Sequence, residues 1–183
     1  MKIINLIVLF LVSSSLNAQT NLDWKLKTGF AYSIGFITEN TQTSQLHLNT
    51  AYVKNKVELR ADGFYFLKSQ GDRPRFSVNH QVFLGANYLF LDGKTKPYLG
   101  TQIGLAHSKS SEYGVLNGLS SDIEYQSSIN PLVSIVGGLN YVPSNKLYFW
   151  VESRQIFGKH ISNSYSTFLD EFRLSLGVGF YIH

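Results

Sequence analysis

The stretch Phe168 to Ile182, reading Phe-Leu-Asp-Glu-Phe-Arg-Leu-Ser-Leu-Gly-Val-Gly-Phe-Tyr-Ile, decides the fold. Phe172, Leu174, Leu176, Val178, Phe180 and Ile182 alternate with Glu171, Arg173, Ser175, Gly177, Gly179 and Tyr181. A side-chain period of two describes a strand with one apolar and one polar face. The polar face begins with two ionised residues and continues in small ones, which suits a crowded interior better than open solvent. The spacing therefore predicts the closing strand of a membrane β-barrel.

Working outward, the N-terminus reads as an export signal. Lys2 precedes an apolar run from Ile3 to Val12 broken only by Asn5, then Ser13 to Ser15 and Leu16-Asn17-Ala18 before Gln19. The expected arrangement is a cleaved signal peptide over residues 1–18 and one barrel over 19–183. The signal is too short to span a bilayer as a helix, and no later segment offers eighteen consecutive apolar residues. Cysteine is absent, so neither a lipid-anchored lipoprotein nor a disulfide-stapled fold is expected. The formal charge of +4 is scattered along the chain, without the clustered basic patch that nucleic-acid binding requires.

Seven further alternating stretches precede the last one. They start near Trp24, Gln45, Val57, Val78, Tyr98, Ile129 and Leu147. Short turns at Lys54–Lys56, Asp92–Lys96 and Pro143–Asn145 alternate strictly with polar connections at Glu39–Thr43, Lys68–Arg75, Lys109–Tyr125 and Gly158–Ser166. Pro131 is expected near the loop end of the sixth strand. A soluble eight-stranded barrel would show the same period. Three features favour a membrane instead: the asymmetry of the connections, the Gly- and Ala-rich polar face of the fifth strand, and aromatic residues gathered at the short-turn end of the apolar face, such as Tyr88, Phe90, Tyr141, Phe149 and Phe180. In hydrocarbon every backbone polar group needs an internal partner, so strands enter only as a closed ring. The fold class is all-β, an eight-stranded antiparallel up-and-down transmembrane β-barrel.

The whole chain after the signal resembles the small OmpA/OmpX-type outer-membrane barrels. The run Lys96-Pro-Tyr-Leu-Gly-Thr-Gln-Ile-Gly-Leu-Ala106 is similar to strands of the broad outer-membrane β-barrel family of Gram-negative bacteria. That resemblance implies an outer-membrane location with both termini periplasmic, contact with outer-membrane lipid and lipopolysaccharide, and handling by the outer-membrane assembly machinery. The family's last strand usually ends in an aromatic residue read by that machinery, whereas here Ile182-His183 follow Phe180 and Tyr181.

Chemistry concentrates on the polar face. Pairing the last two strands so that Phe149 meets Leu176 and Val151 meets Leu174 sets Glu152 opposite Arg173 and Arg154 opposite Glu171. Cross-strand pairs of opposite charge stabilise a sheet, and in a narrow lumen they satisfy one another. Glu58, Arg60 and Asp62 on the third strand are expected to join this network, with His47 near Asp62. Such a lumen reads as a structural plug, with a gated or leaky ion path as the alternative.

His160-Ile161-Ser162-Asn163 resembles the His-x-Ser-Asn stretch of the outer-membrane lipid A deacylases, themselves eight-stranded barrels. The resemblance implies Ser162 as nucleophile, His160 as its base and Glu171 to orient the imidazole. Against it, that family's catalytic groups face lipid, while the register above turns Glu171 inward. His80 and His107 fall opposite each other on an outward face if Leu84 pairs with Ile103. Two imidazoles make an incomplete metal site, and no metal or cofactor is expected. The reading carried forward is a non-enzymatic outer-membrane protein with a structural or surface-exposed role, whose long loops meet an unidentified external ligand or partner. A lipid A deacylase using His160, Ser162 and Glu171, and a narrow porin-like pore, are the alternatives.

Overall fold

The computed structural model describes residues 25–37, 41–71, 76–111, 125–161 and 166–182. The expected signal peptide, Trp24 and Ser162 lie outside them. The chain forms β1 (Lys25–Ile37), β2 (Thr41–Lys54), β3 (Val57–Gln70), β4 (Phe76–Leu89), β5 (Thr95–Ser111), β6 (Tyr125–Tyr141), β7 (Leu147–Ile161), β8 (Ser166–Phe168) and β9 (Glu171–Ile182). Consecutive strands from β1 to β7 pair antiparallel; β9 pairs with both β7 and β1 and closes the ring. Three-residue β8 continues the register of β9 along the upper part of β7, so the barrel is eight-stranded, all-antiparallel and up-and-down. The ends at Lys25 and Ile182 lie beside each other on the short-turn side. In the turn between β2 and β3, Asn55 takes φ 53°, a left-handed conformation that asparagine tolerates better than most residues.

The two faces of the wall are inverted relative to a soluble protein. Outward side chains are Leu, Ile, Val, Phe and Tyr, with Ile129 at 72 % and Leu176 at 70 % exposure. Inward side chains are polar and charged yet buried, including Gln45, Asn79, Gln81 and Gln102. The interior is filled by a size rule. Inward aromatic rings sit directly across the ladder from glycine: Phe83 from Gly104, Tyr98 from Gly138, Tyr148 from Gly179 and Trp150 from Gly177. A Cβ on any of these glycines would overlap the facing ring.

The same rule corrects the expected pairing of the last hairpin. Val151 pairs with Leu176, not Leu174, so Glu152 lies opposite Ser175, and Arg154 opposite Arg173. A slide of two residues keeps every side chain on its own face. Alternation therefore could not distinguish the two registers. Only the observed one places both Tyr148 and Trp150 against glycine.

The strands also run further on the long-loop side than expected. Lys68–Gln70 belong to β3, Lys109–Ser111 to β5 and Gly158–Ile161 to β7, because the ladder continues through polar residues after the apolar alternation ends. Pro131, expected near a strand end, stands within β6 opposite Leu105. The β6–β7 ladder stops at Leu132, one residue later, which is where a residue lacking an N–H does least harm. Beyond it the Asn130 side chain takes over and accepts the Ile161 N–H at 2.9 Å.

Candidate functional site

The lumen holds the densest set of reactive groups. Among the described residues four cations, Lys27, Arg60, Arg154 and Arg173, and four carboxylates, Glu58, Asp62, Glu152 and Glu171, are buried inside the ring. Alternation on β1, β3, β7 and β9 aims all eight inward, so the strand period alone delivers them to one compartment.

Their contacts form two groups. Lys27 Nζ meets Glu58 Oε2 at 2.5 Å. Arg60 reaches Asp62 at 2.7 Å and Glu152 at 2.7 Å. Arg154 bridges the same two acids, at 2.9 Å to Asp62 and 3.0 Å to Glu152, and also donates to Gln102 Oε1 at 2.5 Å. His47 Nε2 lies 2.7 Å from Asp62, and the Tyr98 hydroxyl donates to Glu152 at 2.9 Å. The second group is Glu171, which accepts from Arg173 at 2.6 Å and from the Thr43 hydroxyl at 2.8 Å. Phe64 joins the two: His47 stacks on its ring at 3.9 Å, and the Arg173 and Arg154 guanidiniums lie 4.1 and 5.0 Å from its centre. These contacts let two arginines occupy directly opposed positions without a carboxylate between their backbones.

An apolar cluster interleaves with these charges and extends towards the long-loop side. Ile37, Phe64, Phe66, Phe76, Phe83, Ala106, Leu132, Ile156 and Leu169 form one buried cluster. Leu169 reaches it from the irregular step between β8 and β9, where its N–H donates to Gly158 O and Asp170 accepts the Gly158 N–H. The lumen is thus filled by compensated charge and hydrocarbon packed together.

All seven charges singled out from the sequence, Glu58, Arg60, Asp62, Glu152, Arg154, Glu171 and Arg173, lie in this interior. The expected partners differ: Arg154 and Arg173 bond carboxylates two residues away on their own strands, Glu152 and Glu171. Lys27, Tyr98, Gln81 and Gln102 also belong to the network, beyond those seven charges. Lys27 was recoverable, since it precedes Gly29 on the small-residue face of β1, whereas the reach of Tyr98 to Glu152 spans non-adjacent strands.

His160 and Glu171 are not brought together. His160 is inward-facing and 2 % exposed, with Nδ1 at 2.7 Å from Ser108 Oγ and 2.9 Å from Ser128 Oγ. Glu171 pairs with Ile156, four residues down β7 from His160, roughly 13 Å at the rise of a strand. His80 and His107 do stand opposite each other, with Leu84 paired to Ile103. Each has its own partner: His80 Nδ1 accepts the Phe66 N–H and His107 Nε2 meets Ser127 Oγ. Among the described residues no three His, Cys, Asp or Glu side chains converge as a metal site.

No protein-family model matches the chain, and no characterised protein matches it in sequence. Solved structures match it in fold. Neisserial surface protein A, NspA, is 14 % identical, with a TM-score of 0.63 over 86 % of this chain and 96 % of that one. The outer-membrane protein OprG of Pseudomonas aeruginosa is 14 % identical, with a TM-score of 0.54 over 87 % of this chain and 95 % of that one. The outer-membrane enzyme PagL is 17 % identical, with a TM-score of 0.51 over 84 % of this chain and 98 % of that one. The architecture is that of small outer-membrane barrels.

Proposed function

We propose that the chain is an integral outer-membrane β-barrel with a non-enzymatic, structural or surface-exposed role and a plugged lumen. Barrels of this fold include one named a surface protein and one named an enzyme, so the fold leaves the role open and the interior must decide it. The carrying observation is the filled interior: four cations and four carboxylates, each at most 4 % exposed, compensate one another and pack against an apolar cluster. A conducting path needs water or mobile counter-charge along the axis, whereas the inward charges are buried and paired with one another. In this reading both termini are periplasmic, the wall contacts outer-membrane lipid and lipopolysaccharide, the assembly machinery inserts it, and the long connections meet an external partner.

Purified protein in a planar bilayer should show no stable ohmic steps. Substantial single-channel conductance would overturn the plug and establish the pore. The hydrolase reading is tested separately. Lipid A from cells expressing wild type and from cells expressing Ser162→Ala should have the same mass, because His160 faces the interior and Glu171 is held by Arg173, Thr43 and Gln81. Loss of an acyl chain that depends on Ser162 would make the protein a deacylase.

A further inference from the structure

The short-turn end of the lumen is built differently from its middle. A cavity of about 250 Å³ opens there, lined by Lys25, Val53, Lys96, Val142, Asn145 and Tyr181. Lys25 comes from β1, Lys96 from β5 and Tyr181 from β9, so three separate strands each deliver a donor to one space. Among the described residues neither lysine has an ion-pair partner and the Tyr181 hydroxyl has no hydrogen-bond acceptor. The carboxylate deeper along the wall, Glu58, is taken by Lys27, and the Asp92 carboxylate on a neighbouring turn pairs with Lys56 at 3.8 Å. Val142 N–H donates to the Lys94 carbonyl and Tyr181 N–H to the Lys146 carbonyl, which ties both turns to the cavity wall. Because the deeper lumen is charge-balanced, the mouth keeps its excess positive charge, and a concavity with low-dielectric walls concentrates that field.

We infer that this vestibule binds a phosphate group, held by Lys25, Lys96 and the Tyr181 hydroxyl. Its volume falls below the roughly 300–1,000 Å³ of pockets for drug-sized ligands, which limits the occupant to a small anion or the polar end of a larger molecule. Three donors from three directions match the three free oxygens of a phosphoryl group better than the two of a carboxylate. The mouth lies at the short-turn rim beside the outward rings of Tyr88, Phe90 and Tyr141, the level at which headgroups meet aromatic belts. The phosphate therefore comes either from solution or from a phospholipid of the adjoining leaflet. Only the lipid source rests on the membrane reading.

The experiment uses the folded full chain, its folding checked by gel mobility with and without boiling. Inorganic phosphate is titrated in non-ionic detergent while the labelled lysine side chains are followed by NMR. In parallel, protein recovered from phosphatidylcholine vesicles with and without phosphatidic acid is assayed for retained lipid. The variants are Lys25→Gln/Lys96→Gln, Tyr181→Phe and, at the opposite end of the barrel, Lys109→Gln. The expected result is saturable binding that weakens with salt, falls roughly tenfold or more in the double variant and is unchanged in Lys109→Gln. Binding of free phosphate identifies a soluble source; lysine-dependent retention of phosphatidic acid without it identifies a headgroup. The proposal is overturned by absence of saturable binding in both arms, by an equal loss in Lys109→Gln, or by acetate binding as tightly as phosphate. A chain that folds in detergent yet fails to enter vesicles would defeat the membrane reading and leave the phosphate titration standing.

Discussion

Phe64 is the side chain on which the interior charges converge, with His47 stacked on its ring and two guanidiniums nearby. Arg154 shows what that arrangement demands. It is fully buried and bonds Asp62, Glu152 and Gln102, so removing it leaves two carboxylates with Arg60 as their one remaining shared arginine in a place water does not reach. Breaking a buried pair from one side costs about 3–5 kcal/mol, mostly as the penalty on the charge left behind. Arg154→Met should therefore lower stability by about that amount in urea titrations of the inserted barrel. Lys56→Gln, which breaks the exposed contact with Asp92, should change it by no more than about 0.5 kcal/mol. Equal effects of the two would mean that water reaches the lumen charges. At this scale the sequence is informative about facing and only in part about partners: His47 beside Asp62 and His80 opposite His107 are as expected, whereas the partners of Glu152, Arg154, Glu171 and Arg173 are not. Parity placed Glu58, Arg60, Asp62, Glu152, Arg154, Glu171 and Arg173 on the inward side, but who meets whom depends on which strands stand across the lumen, and that is a property of the closed ring.

Strands make the same point one level up. Every long strand is legible from its alternation, while the β7–β9 register differs from the expected one by two residues. Matching apolar to apolar cannot separate registers that differ by an even step. The information lay in size: Tyr148 and Trp150 on β7 are two apart, as are Gly179 and Gly177 on β9. The register has a direct test, since the chain contains no cysteine. Val151→Cys with Leu176→Cys should close a disulfide under mild oxidation, because directly paired residues lie about 4.5–5.5 Å apart at Cα, within disulfide reach. Val151→Cys with Leu174→Cys should stay reduced. The reverse outcome would restore the pairing of Glu152 with Arg173. The step at Leu169 makes a second prediction for this hairpin. Leu169 is fully buried in the apolar cluster, so Leu169→Ala should destabilise the barrel by about 2–5 kcal/mol.

For the molecule as a whole, what matters is that the polar side is inside. A wall whose outward positions are Phe30, Leu48, Leu84, Ile103, Ile129 and Leu176, each more than half exposed, would be an aggregation hazard in water and is the expected surface in hydrocarbon. Alternation in the sequence does not carry that choice, because a soluble barrel has the same period. The choice was legible from the small residues of the polar face, which the structure shows making room for Phe83, Tyr98, Tyr148 and Trp150. It can be tested on one strand. Leu176 is in the middle of β9 and Ile182 at its end, both outward. In hydrocarbon an arginine at mid-depth costs about 2–4 kcal/mol and one near the interface about 0–1 kcal/mol. Leu176→Arg should therefore destabilise the inserted barrel by several times as much as Ile182→Arg, as read from urea unfolding in vesicles. In water the order would vanish, since an exposed arginine is nearly neutral at either place. A depth-dependent penalty on outward positions, together with the large penalty on losing inward Arg154, is the pair of signs that only a barrel turned inside out by its solvent can give.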